Sequence, residues 1–202
     1  MYAMHSAPAP DPTRQLESSL AAIVYANDEY PDEVFKWIVS ECRARDLVLS
    51  GVLQHPAFEG ADRRCDVLLE DLASGHRTLL FEDRGAGARG CRLDVAALVE
   101  ASTRVESSLD SNPALLVLNK FGKVESDGGG TCGLMAKALE RGIPAIIGVP
   151  ARNLDAWRNF SGEFSIELPE NIEQIGEWLG ALKPGSLAQP KTDTVIPRSL
   201  NI

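Results

Sequence analysis

Several apolar segments of this chain contain almost no polar residue. LAAIVYA (20–26), ALLVLN (114–119) and IPAIIGVP (143–150) are the clearest of them. Strands that helices cover on both faces have this composition, whereas strands with one face in water alternate between apolar and polar residues. The three segments therefore predict buried, parallel strands, and LVLSGVLQ (47–54) predicts another strand of the same sheet.

Apolar residues at helical spacing separate these strands, over 32–46, 94–112, 134–142 and 172–182. Asp94 stands directly before its helical segment, where an aspartate side chain can accept a hydrogen bond from a free amide, so we expect it to cap that helix. The alternation of strands and helices predicts an α/β fold with a mostly parallel sheet.

Two shorter apolar runs, 65–72 and 77–83, flank the turn-forming sequence Ala-Ser-Gly-His and predict an antiparallel hairpin inserted in the sheet. The two ends of the chain differ from the rest. Residues 1–18 and 183–202 are rich in proline and lack periodicity, so we expect a flexible N-terminus and a flexible tail. A single domain is predicted over 19–182.

Composition and charge narrow the functional classes. The net charge of −9 argues against a nucleic-acid partner, which would require a basic surface. No apolar run reaches the roughly 20 residues that a membrane span requires, and residues 1–19 lack the apolar core of a signal peptide, so we expect a cytoplasmic protein. The four cysteines show no paired spacing and predict neither a zinc site nor a disulfide framework. Self-association is compatible with this composition.

Candidate chemistry is expected where the parallel strands end, because ligands of open α/β sheets bind there. After the first strand the chain reads NDEYPDE (27–33), without glycine, lysine, serine or threonine. A phosphate-binding loop needs GxxxxGK[ST], so this loop cannot hold a triphosphate in the usual manner. Its carboxylates either favour the dipole of the following helix or hold a hard cation, and we favour the first interpretation.

The sequence NKFGKVESDGGG (119–130) follows the strand at 114–119. Nucleoside triphosphatases carry acidic residues at such a strand end, where they hold Mg²⁺ and orient water. Asn119 and Lys120 occupy these positions here, so hydrolysis by the ordinary route is not expected. Gly128, Gly129 and Gly130 either let the backbone approach an anion or form a flexible connector.

A third element, RGAGARGCR (84–92), combines glycines with arginines in an acidic chain. The guanidinium groups of Arg84, Arg89 and Arg92 suit oxyanions such as phosphate, sulfate or molybdate, although an ordinary solvated loop would have a similar composition. The same stretch contains GxGxxG, which we interpret as a chance match because the acidic residue of a dinucleotide site is missing after the next strand.

Several stretches resemble the bacterial domain-of-unknown-function family 2478. They are LAAIVY (20–25), CDVLLEDLASG (65–75), DRGAGARGCRLD (83–94), LLVLNKFGKVESDGGG (115–130) and GIPAIIGVPARNLDAWRNFSG (142–162). That family is similar to small P-loop nucleoside triphosphatases, whose Walker B strand reads like DEIGKME. NKFGKVE keeps Gly122, Lys123 and Glu125 but replaces the acidic pair. The resemblance implies a three-layer P-loop-like fold with degenerate Walker motifs, and a link to molybdenum, because family members are described near molybdenum-related genes.

We therefore hypothesise a non-hydrolytic accessory or regulatory protein that binds an anion or a nucleotide. No catalytic residue, metal ligand or particular cofactor is predicted. The candidate anion-binding residues are Arg84, Arg89, Arg92, Asn119, Lys120, Lys123, Gly128, Gly129 and Gly130. Two alternatives stay open: a nucleoside triphosphatase with an atypical phosphate loop, and a scaffold or interaction protein.

Overall fold

The computed structural model describes residues 19–26, 29–57, 67–82 and 92–182. The strands are β1 Leu20–Tyr25, β2 Leu49–Pro56, β3 Val67–Asp71, β4 Arg77–Leu79, β5 Phe81–Glu82, β6 Arg92–Leu93, β7 Leu115–Lys120, β8 Ala145–Pro150 and β9 Ser165–Leu168. The α-helices are α1 Asp32–Ala44, α2 Val95–Ser108, α3 Lys123–Ser126, α4 Cys132–Glu140, α5 Leu154–Ser161 and α6 Ile172–Ala181. The predicted flexible ends, 1–18 and 183–202, lie outside the described residues.

The main sheet has seven strands in the order β4-β3-β2-β7-β8-β1-β9. The five strands from β2 to β9 in this order are parallel, with Leu49 opposite Leu115 and Ile23 opposite Gly148. The strands β3 and β4 form the antiparallel hairpin beyond β2. β5 and β6 pair separately. The predicted α/β architecture, a mostly parallel sheet with an inserted hairpin, is confirmed.

Helices cover both faces of the sheet and make two cores. Phe35 of α1 and Trp178 of α6 are fully buried on one face. Met135 of α4 and Trp157 of α5 are fully buried on the other, where α2 also packs. Burial of a large apolar side chain contributes about 1.5–3 kcal/mol, so both faces of the central strands must be apolar. The continuous apolar segments of the sequence follow from this arrangement.

Side-chain caps fix two of the helix starts. Asp94 accepts a hydrogen bond of 2.9 Å from the amide of Ala97 at the start of α2, as predicted. Asn171 caps α6 in the same way, through the amide of Gln174 at 3.0 Å. Across the residues that the structure describes, no helix combines the length and apolar character needed to cross a membrane.

Candidate functional site

Three strand ends meet at the centre of the carboxyl edge, because β7, β8 and β1 are neighbours in the sheet. The chain leaves β1 through α1 on one face and leaves β8 through α5 on the other face. A sheet whose neighbouring strands continue on opposite faces opens a crevice between their ends, and ligands of such folds bind in it. The end of β7 borders the same crevice.

Tyr30 lies in the loop between β1 and α1 and packs against β8. Its ring stacks on Phe35 at a centroid distance of 5.3 Å and meets Tyr25 edge-on at 5.7 Å. Gly148 of β8 makes this possible, because a Cβ atom there would lie 3.3 Å from the Tyr30 ring. Asn27 and Asp28 lie outside the described residues. The sequence offered no signal for this packing, and Tyr30 was not among the predicted site residues.

The hydroxyl of Tyr30 is buried and has no hydrogen-bond partner in the described part of the chain. Burial, and then the nearby Tyr25 and Asp32, raise the pKa of Tyr30 well above its ordinary value. The group is therefore a neutral phenol at physiological pH and can donate a hydrogen bond. Asp32 itself is buried at the start of α1 and has a partner.

At the end of β7, Asn119 lies between β2 and β8. Its Nδ2 donates to Oε1 of Gln54 at 3.0 Å, while its Oδ1 is buried and has no partner among the described residues. The backbone after Asn119 is hydrogen-bonded to β8, because the amide of Phe121 donates to the carbonyl of Gly148 at 2.8 Å. Gln54 was not predicted as a site residue, because no sequence pattern links it to Asn119, 65 positions away.

Lys120 and Lys123 are exposed and carry no ion pair in the part of the chain that the structure describes. Eight other lysine and arginine side chains of the described residues do form ion pairs. They are Lys36, Arg43, Arg45, Arg77, Arg104, Lys137, Arg141 and Arg158. Two unpaired lysines three residues apart are unusual in a chain with a net charge of −9. They place two positive charges beside the carboxyl end of β7.

Glu125 organises the loop that contains the three glycines. Its carboxylate accepts hydrogen bonds from the amides of Gly122 at 2.9 Å and Thr131 at 3.1 Å. A Cβ atom on Gly130, whose φ is 56°, would lie 2.0 Å from Oε1 of Glu125, so only glycine leaves room for the carboxylate. The Glu125 carboxylate therefore occupies the space that the loop encloses.

The amides of Gly128 and Gly129 are also engaged within the loop, with the carbonyls of Glu125 and Val124 at 2.9 Å each. The triple glycine thus belongs to a folded turn, which differs from both interpretations offered for it, the close approach to an anion and the flexible connector. Only one half of a capping box is present here, the bond from the Gly122 amide to Glu125, because glycine has no side chain to cap the helix in return. From the sequence, Glu125 was predicted only to occupy the position of a Walker B residue.

Arg92 lies at the same edge of the sheet but away from the lysines. It is exposed in β6, next to the end of β4, where the amide of Asp94 donates to the carbonyl of Leu80 at 2.9 Å. β2 and β3 separate β4 from β7, which places β4 about 14 Å from β7 at the usual strand spacing. Arg84 and Arg89 lie outside the described residues.

A metal centre is not evident in this region. Within residues 19–26, 29–57, 67–82 and 92–182, no group of three or more histidine, cysteine, aspartate or glutamate side chains could hold a metal ion. The buried thiols of Cys42 and Cys132 are free, and burial raises the pKa of each above its ordinary value. Neither thiol is activated as a nucleophile.

The order of the parallel strands, with the hairpin beyond β2, defines an α/β fold of the P-loop nucleoside-triphosphatase type. The solution structure of a human cancer-related nucleoside triphosphatase has the same fold, with a TM-score of 0.55 over 79% of this chain and 93% of that chain. The two sequences are 14% identical, so the likeness concerns the fold alone.

The chain belongs to the family described as protein of unknown function DUF2478, whose model matches residues 20–178. A relative is the molybdenum import ATP-binding protein ModC 2 of Bradyrhizobium diazoefficiens, which is 29% identical over 168 residues. The aligned region makes up 83% of this chain but 18% of the relative. The resemblance to the family and to the P-loop fold is thus confirmed.

Proposed function

We propose that this protein binds an anionic ligand, either a phosphate group of a nucleotide or a small oxyanion, without hydrolysing it. The observation that carries the proposal is a pair of exposed lysines at the carboxyl edge, Lys120 and Lys123, which form no ion pair with any residue that the structure describes. A lysine ammonium is a compact charge that binds phosphate oxygens and similar groups. The edge of the sheet where the fold class binds its ligands is also the edge that carries this charge.

The absence of hydrolysis follows from the residues around the lysines. Phosphoryl transfer to water requires a bound metal ion and a group that orients or activates the water. Asn119 and Lys120 stand where an acidic pair would hold the metal ion. Glu125 is engaged by the amides of Gly122 and Thr131 and is not directed at a ligand. Binding without turnover suits an accessory or regulatory role.

The remaining candidate residues have two different functions in this proposal. The arginines Arg84, Arg89 and Arg92 supply additional positive charge from the segment between β5 and α2. Gly128, Gly129 and Gly130 shape the loop around Glu125 and hold Lys123 at the edge of the sheet, so their contribution to the ligand is indirect. The chemistry of the guanidinium group supports the first role, and the hydrogen bonds of Glu125 with the loop support the second.

A role linked to molybdenum is the more specific part of the proposal. The relative from Bradyrhizobium diazoefficiens is named a molybdenum import ATP-binding protein. Molybdate is a tetrahedral oxyanion that lysine and arginine side chains can bind, and ATP carries the phosphate groups of the alternative ligand class. The likeness of the fold to a nucleoside triphosphatase keeps nucleotide hydrolysis through an atypical loop as the second candidate function.

Isothermal titration calorimetry with phosphate, molybdate, ATP and GTP tests the binding, and a phosphate-release assay with Mg²⁺ tests the hydrolysis. We expect heat from at least one anion, a loss of affinity of tenfold or more in Lys120→Ala and Lys123→Ala, and weaker binding at high salt. Lys137→Ala, a surface lysine on α4, is the matched control and should leave the affinity unchanged.

Two results would contradict the proposal. If the folded protein gives no heat with any of the four ligands, anion binding at this edge is wrong. If the protein releases phosphate from ATP or GTP and Lys123→Ala abolishes the release, the protein is an atypical nucleoside triphosphatase.

A further inference from the structure

Two residues that border Gly148, Asn119 and Tyr30, each carry a buried polar atom without a partner. These atoms are Oδ1 of Asn119 and the hydroxyl oxygen of Tyr30, neither of which has a hydrogen-bond partner in the described chain. A Cβ atom on Gly148 would lie 2.9 Å from the backbone carbonyl oxygen of Asn119 and 3.3 Å from Cε2 of the Tyr30 ring, so the two residues are neighbours at this one position. An unpaired buried polar group costs about 1–3 kcal/mol, and such groups call for an explanation.

The other described polar atoms of this kind are dispersed. Trp157 Nε1 belongs to the core on the opposite face of the sheet. Asp71 Oδ2 lies on β3 and Arg104 Nε on α2, both away from the carboxyl ends of β1 and β8. The pair at Gly148 is thus distinguished by its place, in the crevice where the fold binds ligands and next to Lys120.

The chemistry of this pair restricts the ligand. An amide oxygen is only an acceptor, and a fully ionised oxyanion such as molybdate or sulfate at neutral pH has only acceptors to offer. A phosphate group differs, because its second pKa is about 6 in monoesters, so one of its oxygens carries a proton in part of the population near neutral pH. That proton can be donated to Asn119, while the Tyr30 hydroxyl donates to another phosphate oxygen.

We propose that Asn119 Oδ1 and the Tyr30 hydroxyl select a protonated phosphate group over a fully ionised oxyanion. The inference rests on the proposed anion binding, and of the two ligand classes proposed there it favours phosphate over molybdate: the ligand is a phosphate that bears a proton, whether inorganic or the monoester of a nucleotide. Lys120 and Lys123 supply the charge, and Asn119 distinguishes the protonated from the ionised oxygen. Because both atoms are buried in the ligand-free chain, side chains around them must move when the ligand enters.

The proposal predicts that the affinity for phosphate depends on pH because the ligand, rather than the protein, loses a proton. The charged or titratable groups around the pair are Tyr25 on β1, Asp32 on α1, Lys120 on β7 and His55, which follows Gln54 on β2. A change of charge on any of these groups would alter the affinity for both anions, whereas loss of the ligand's own proton alters the affinity for phosphate alone. The affinity for phosphate should therefore fall as the pH rises from 6 to 8.5 and the phosphate loses its proton, while the affinity for molybdate should stay constant.

The test is a set of calorimetric titrations of the full chain with inorganic phosphate, AMP and molybdate, each at pH 6.0, 7.0 and 8.5. At pH 6.0 we expect phosphate or AMP to bind at least tenfold more tightly than molybdate. The comparison of inorganic phosphate with AMP identifies the source of the phosphate group. Asn119→Ala should abolish both the preference and the pH dependence, and Tyr30→Phe should weaken phosphate binding several-fold with the pH dependence retained.

The outcomes separate this inference from the proposed function. Molybdate binding as tight as phosphate binding at pH 6.0 overturns the selection of a protonated phosphate and leaves anion binding intact. No binding of any of the three ligands overturns both. If Asn119→Ala does not fold, as judged by circular dichroism, Asn119→Asp replaces it; its carboxylate should retain phosphate binding at pH 6.0 and exclude molybdate, and equal binding of the two would overturn the inference.

Discussion

Glu125 shows how one side chain can determine the conformation of a functional loop. It satisfies the amides at both ends of the segment from Gly122 to Thr131, and the glycine at position 130 gives it space. A backbone amide forms a stronger hydrogen bond with a carboxylate than with a carbonyl group. The Glu125 side chain therefore contributes strongly to the stability of the loop. Lys123 owes its position to the same arrangement.

Replacing Glu125 by alanine should therefore destabilise the protein by about 2–3 kcal/mol, because two half-buried amides lose a charged acceptor. Urea denaturation followed by circular dichroism measures the change. Asp127→Ala removes an exposed carboxylate from the same loop and should change the free energy of unfolding by less than about 0.5 kcal/mol. Equal effects of the two substitutions would show that Glu125 does not hold the loop.

Glu70 makes the stability depend on pH. This buried carboxylate of β3 accepts hydrogen bonds from Arg43 at 3.0 Å, His55 at 2.8 Å and Arg77 at 3.3 Å. Burial by itself raises the pKa of Glu70, but the hydrogen bonds and the charges of Arg43 and His55 outweigh it, so the pKa is lowered from 4.5. A lowered pKa in the folded state stabilises the protein above the unfolded pKa, and the stabilisation is lost as pH falls through the folded value.

Glu70→Gln should accordingly be less stable than the parent chain at pH 7, and the difference should shrink as the pH falls below about 4.5. Urea denaturation at pH 7, 5, 4 and 3 measures it. Glu167→Gln, which breaks the exposed pair with Arg158, is the control and should have a small effect throughout. A difference between Glu70→Gln and the parent that stays constant down to pH 3 would contradict this explanation.

At the scale of elements, the residues of β1, β7 and β8 were predictable because burial on both faces leaves a continuous apolar composition. β9 was not predicted, because its alternation extends over only four residues, with Ile166 and Leu168 buried between more exposed neighbours. α3 was not predicted either. It is a single turn that Glu125 holds, and a side-chain contact of this kind has no periodicity.

The candidate site was likewise predictable only in part. Asn119 and Lys120 follow a recognisable strand directly, so their place at the carboxyl edge could be derived from the sequence. The contacts of Tyr30 with Gly148 and of Asn119 with Gln54 join distant parts of the chain, and only the strand order brings them together. Local sequence patterns therefore predicted where the candidate site lies but not its buried polar atoms.

The pairing of β2 with β7 depends on Gly51. This residue has a φ of 110°, and a Cβ atom there would lie 1.8 Å from the carbonyl oxygen of Val117. Gly51→Ala should lower the free energy of unfolding by more than about 3 kcal/mol, because backbone atoms rather than a flexible side chain must move. Thermal unfolding measures the loss.

Gly133→Ala is the control for this prediction, because Gly133 lies in α4 with nothing within 4 Å of an added Cβ atom. Alanine favours a helix over glycine by up to about 1 kcal/mol, so this variant should be as stable as the parent or more stable. A Gly51→Ala variant that unfolds at the parental temperature would mean that β2 and β7 are not packed as closely as described.

At the scale of the whole molecule, the two cores are separated by the sheet, yet the same strands contribute to both. Val117 and Ile146 face the core of α1 and α6, while Leu116 and Ile147 face the core of α2, α4 and α5. Loss of either helical layer would expose one face of the central strands to water. The layers should therefore depend on each other, and we expect residues 19–182 to unfold as one cooperative unit.

The tryptophans test this expectation, because they lie on different faces. Trp157 belongs to one core, and Trp37 and Trp178 belong to or pack against the other. In Trp157→Phe, fluorescence reports on the core of α1 and α6, and in the double variant Trp37→Phe/Trp178→Phe it reports on the opposite core. Within each variant, the unfolding midpoint from fluorescence should coincide with that from far-ultraviolet circular dichroism, because the shared strands cannot keep one face packed alone. A fluorescence transition that precedes the circular dichroism transition in either variant would show that one helical layer detaches first.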